Sequence, residues 1–72
     1  MKANKASFTM SQHEADVAIR TIKYINRFDD YVEELRKENK SDSDFLKAHI
    51  INVLDAEGIY LKKEDVTVNI HD

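Results

Sequence analysis

Asp30, Glu34 and Glu38 stand four residues apart in the stretch FDDYVEELRKENKSDSD, residues 28–44. On a helix that spacing sets like charge above like charge at about 6 Å per step, and each such pair costs roughly 0.2–0.5 kcal/mol. Asp29 and Glu33 run beside them, and the seventeen residues hold seven carboxylates against three bases, Arg36, Lys37 and Lys40. Part of this acidity serves the fold. Asp42 and Asp44 open a second helix, whose dipole favours an anion by about 0.3–1 kcal/mol. Glu33 precedes Lys37 by four residues, the favourable order for an exposed pair. Asp30, Glu34 and Glu38 have no such account, and Glu38 falls near the carboxyl end of its helix, where the dipole disfavours a negative charge. The chemistry open to such a row is electrostatic, the meeting of a cationic surface.

Other chemistries lack their residues. Calcium loops alternate acids around a glycine, whereas Asp42-Ser43-Asp44 supplies too few ligands. The histidines are far apart, His13 in a first helical turn, His49 mid-helix and His71 at the carboxyl end, and none forms the paired spacing that zinc requires. His49, between Phe45 and Val53, reads as a partly buried packing residue. A phosphate-binding loop needs several glycines, and the chain has one, Gly58. No strained nucleophile turn assembles Ser, His and carboxylate into a triad. With no Cys, disulfides and thiolate metal sites are excluded. The expectation is a protein that is not an enzyme, with no cofactor and no metal.

The elements that position the acids follow from hydrophobic period and caps. Ala6, Phe8 and Met10 alternate with Ser7 and Thr9, a strand over 6–10. Ser11 and Glu14 form a capping box, so a helix starts at residue 12. Ala18, Ile22, Ile25, Phe28, Val32 and Leu35 recur at helical spacing, with Val17, Tyr24 and Tyr31 alongside, and no Gly or Pro interrupts before Asn39. The pattern predicts one helix over 12–39, about 40 Å long. Some thirty other residues cannot cover such a helix. Tyr24, Phe28, Tyr31 and Leu35 are therefore the expected dimer interface, aromatic anchors carrying large area at little entropic cost. A second helix over 43–57 carries Phe45, Leu46, Ile50, Val53 and Leu54 and closes on Gly58, with Ile59 folding back on Leu54. Lys62-Lys63-Glu64-Asp65 turns the chain into a strand over 66–70, where Val66, Val68 and Ile70 alternate with polar residues. Residues 1–5 read as a flexible tail. The fold class is α+β, a small β-α-α-β domain with a long first helix, a helical hairpin and a short two-stranded sheet completed by dimerisation, since two strands alone are marginal in water.

Seventy-two residues form one domain and bury only roughly 60% of the surface of the unfolded chain. No apolar run approaches the ~20 residues of a membrane span, and the first residues lack the apolar core of a signal peptide. A cytoplasmic protein without membrane contact is expected. The net charge of −3 divides unevenly: residues 1–27 carry +3 and residues 28–72 carry −6. Such asymmetry bears on association rather than on fold.

The acidic row implies a partner that is a basic, nucleic-acid-binding protein, which the acids engage by standing in for phosphates. Asp29, Asp30, Glu33, Glu34 and Glu38 are the expected contact residues, and direct nucleic-acid binding is not expected of this face. Phage and mobile-element inhibitors of host DNA-binding proteins look similar in size and charge. Arg20, Lys23 and Arg27 form a short basic ridge that suits solvation or the acids of a second subunit. The order strand, helix, helix also resembles the ribbon-helix-helix repressors, with SDSDFLKAHIINVLDAEG as the second helix. That resemblance implies a dimeric DNA-binding regulator with Lys5, Ser7 and Thr9 facing the groove. The double-length first helix and the second strand depart from it. A structural or assembly subunit is the third expectation.

Overall fold

The computed structural model describes residues 5–72, so all but Lys5 of the expected tail lies outside the described residues. Strand β1 (Ala6–Ser11) leads without a loop into helix α1 (Gln12–Ile25). The capping box forms as the sequence requires: the Glu14 amide donates to Ser11 Oγ (3.1 Å) and the Ser11 amide to Glu14 Oε1 (2.8 Å). Helix α2 (Tyr31–Glu38) and helix α3 (Asp42–Ala56) follow, then a single 3₁₀ turn (Lys63–Asp65) and strand β2 (Val66–His71). The domain is α+β in the order β-α-α-α-β.

The predicted helix over 12–39 is two helices, with a break at residues 26–30. Asn26 ends α1 by donating twice to the Ile22 carbonyl, from its backbone amide (3.1 Å) and from Nδ2 (2.8 Å). Asp29 then takes the Tyr31 amide on Oδ1 (2.9 Å), opening α2. Short amide and carboxylate side chains compete for backbone groups in this way, and the competition disfavours a helix interior. Asn39 repeats the device at the end of α2, its amide and its Nδ2 both reaching the Leu35 carbonyl. The break also answers the coverage problem. It lets the second half of the apolar stripe turn onto α3 instead of waiting for another molecule.

Helix α3 closes as its sequence dictates. Gly58 adopts φ +85°, the Ile59 amide bonds to the Leu54 carbonyl, and the Gly58 amide bonds to that of Asp55. This is a Schellman closure.

The two strands pair in parallel, Ala6 opposite Val66 through Ser11 opposite His71. The core comprises Ala15, Ile19 and Ile22 from α1, Leu35 from α2, Phe45 and Leu46 from α3, and Val66 and Val68 from β2. Ala15 and Ile19 lie off the predicted stripe, whereas Ile25 and Phe28, which lie on it, are exposed. Once the helix breaks, α1 packs on its own best face and the shared stripe no longer governs.

Candidate functional site

The acids follow from the break. Asp30 is the residue preceding α2 and makes no side-chain cap bond, and Glu33 and Glu34 fall in the first turn. At the start of a separate helix these charges sit where the dipole is favourable, so the row costs the fold less than a continuous helix would imply. Arg36 and Lys37 occupy the last turn, the complementary arrangement.

The five acids do not form one bare ridge. Glu34 pairs with Lys37 (3.6 Å), both exposed. Glu38 lines a cleft of about 360 Å³ together with Lys62 and Lys63. Asp29, Asp30, Glu33 and Glu38 are exposed and have no ion pair among the described residues. Three of these unpaired acids gather at the amino end of α2 and the loop before it, and Glu38 stands apart at the other end. The expected Glu33–Lys37 pair is replaced by Glu34–Lys37.

Directly before these acids stands Phe28, 88% exposed, with Ile25 at 69% and Tyr24 at 65%. The Arg27 guanidinium lies 4.1 Å from the Tyr24 ring centre and 4.6 Å from that of Phe28. It also donates to the Tyr24 carbonyl (2.8 Å). Arg27 therefore orders the two rings into one layered tip. Of the four residues expected at a dimer interface, only Tyr24 and Phe28 come together on the outside. Leu35 is in the core, and Tyr31 is turned inward to α3. Its hydroxyl accepts from Asn52 Nδ2 (2.9 Å) and lies 3.0 Å from His49 Nδ1. Burial lowers the His49 pKa, which favours the neutral ring in this contact.

The other basic residues are dispersed. Arg20 and Lys23 line an open cleft of about 390 Å³ with Asp16, Ile19, Arg36 and Asp42. Arg36 is held over the Phe45 ring (4.5 Å) and beside Asp42 (3.4 Å). Gln12 Nε2 bridges Asp16 and Asp42. Lys5, Ser7 and Thr9 are exposed, and Ser7 and Thr9 lie on β1, which pairs with the chain's own β2. Among the described residues no group of three or more His, Asp or Glu is placed to hold a metal ion, and no helix is long and apolar enough to cross a membrane. Comparison with protein-family models, curated proteins and solved structures gives no match.

The aromatic tip escaped the sequence reading because Phe28 and Ile25 fit the helical stripe. The signal that could have exposed them was the cluster Asn26, Asp29 and Asp30, three weak helix formers within five residues.

Proposed function

We propose that this protein is a non-enzymatic interaction module that binds and blocks a basic, nucleic-acid-binding protein, through the surface running from Tyr24 to Glu33. The observation that carries the reading is Phe28, 88% exposed beside three acids without ion pairs among the described residues. The helix dipole accounts for the acids alone. It does not account for a phenylalanine in water next to an isoleucine and a tyrosine. An apolar centre with a charged rim is the anatomy of a protein interface. The rim's sign selects the partner: three adjacent carboxylates attract a cationic surface, and the commonest cationic protein surfaces are those that bind nucleic acid. Glu34, paired with Lys37, and Glu38, which stands apart in the cleft lined also by Lys62 and Lys63, are secondary.

The test is capture from a lysate of the source cells, with the wild-type chain and three variants as bait. A basic protein retained by the wild type should be lost with Phe28→Ala and with the triple reversal Asp29→Lys, Asp30→Lys and Glu33→Lys. It should be largely kept with the double reversal Glu34→Lys and Glu38→Lys. Equal retention by the triple reversal contradicts the reading.

A further inference from the structure

We propose that the free edge of β1 is a pairing site for β1 of a second copy of this chain, antiparallel about a two-fold axis at Phe8. The inference does not depend on the acidic surface. It starts from how unevenly the sheet is covered. Phe8 and Val68 are register partners and share a face, yet Val68 is buried and Phe8 is 37% exposed. At this pair the sheet is covered on β2 and partly open on β1, towards the β1 edge, while Met10 and Ile70 are both half-buried against the core.

Among the described residues, β1 itself carries little of the usual protection, with Lys5 flanking it. Edge strands in monomers are blunted by charge, proline, bulges or irregularity. The residues of β1, Ala-Ser-Phe-Thr-Met-Ser, include no charge, no Pro and no Gly, and its six pairs with β2 run without a bulge. The helices cover one face of this two-stranded sheet, which is what it needs to persist, and the β1 edge remains available to a further strand.

The occupant and its direction follow from the sequence of the strand. Opposed residues of an antiparallel pair share a face. An axis at Phe8 sets Ala6 against the partner's Met10, Phe8 against the partner's Phe8, and Ser7 against the partner's Thr9. Apolar meets apolar and polar meets polar, and a one-residue slip would break every match. Parallel pairing would stack Lys5 on the partner's Lys5. Antiparallel pairing separates the two by about 20 Å and brings each to the partner's Ser11–Glu14 corner. The product is one four-stranded sheet of order β2-β1-β1-β2, an isologous dimer.

The register makes a charge test specific. Ser7 and Thr9 are exposed, and their neighbours on β2, Thr67 and Asn69, are uncharged, so lysines there leave the monomer's core untouched. Ser7→Lys with Thr9→Lys sets like charges opposite each other twice, whereas Ser7→Lys with Thr9→Glu sets opposite charges there. Sedimentation equilibrium over a concentration series should show a dimer for the wild type. Dimerisation should be about tenfold or more weaker in the Lys/Lys chain than in the Lys/Glu chain, both with the wild-type circular dichroism spectrum. A wild-type chain that stays monomeric at every concentration overturns the proposal. Equal dimerisation of the two variants overturns it equally.

Discussion

Two asparagines, Asn26 and Asn39, end α1 and α2 by the same double donation to a carbonyl four residues back, and they decide where the chain turns. Asn39 is also buried. Replacing it with Ala should lower stability by about 1 kcal/mol, the worth of a buried hydrogen bond, read as a shift in the urea midpoint. Gly58 is a cleaner case. A Cβ there would meet nothing within 4 Å, so Gly58→Ala should cost only the left-handed backbone, about 1 kcal/mol, with no change in packing. At His49 stability depends on a proton. Burial lowers its pKa below the ordinary value near 6.5, so the unfolded chain binds the proton more readily. Stability from this residue is full above that value and is lost as pH falls through it towards the folded pKa. Glu14, whose pKa is lowered by its bonds with Ser11, acts in a separate and more acid window, below its ordinary carboxylate value. Urea midpoints measured from about pH 7.5 to 5 should fall in the wild type and stay flatter in His49→Gln.

At the scale of elements, what was legible depended on whether the signal was local. The capping box at Ser11, the glycine closure of α3 and the alternation of β2 are each written in a few adjacent residues, and the structure has all three. The long helix was misread because its stripe continues across the break. Periodicity records which residues could share a face, and tertiary packing decides which do. Ala15 and Ile19 took core places because α1 needed only a short face against the sheet and α3. Tyr31 and Leu35 went to the monomer's interior for the same reason. The parallel direction of the strands could not be read from either strand alone. Phe45 is fully buried and, with Val66, the largest such side chain in a core drawn from all three helices and β2. Phe45→Ala should cost about 3–5 kcal/mol, enough to leave so small a domain largely unfolded by circular dichroism.

At the scale of the molecule, the break that shortens the helix creates both halves of the proposed surface. It releases Phe28 from the stripe and gathers Asp29, Asp30 and Glu33 at a new helix start. The charge row visible in the sequence is thereby divided: three acids gather at the helix start, Glu34 pairs with Lys37, and Glu38 stands apart in a cleft. The candidate site was thus half legible: the acids by type and spacing, the aromatic tip only after the chain had folded. The most direct measurement is the dissociation constant of the captured basic partner across a salt series, for the wild type and for the triple reversal of Asp29, Asp30 and Glu33 to Lys. The account predicts wild-type binding that weakens steeply as salt rises, and binding by the reversed chain that is too weak to titrate. Equal affinity in the two chains, or wild-type binding indifferent to salt, would contradict it.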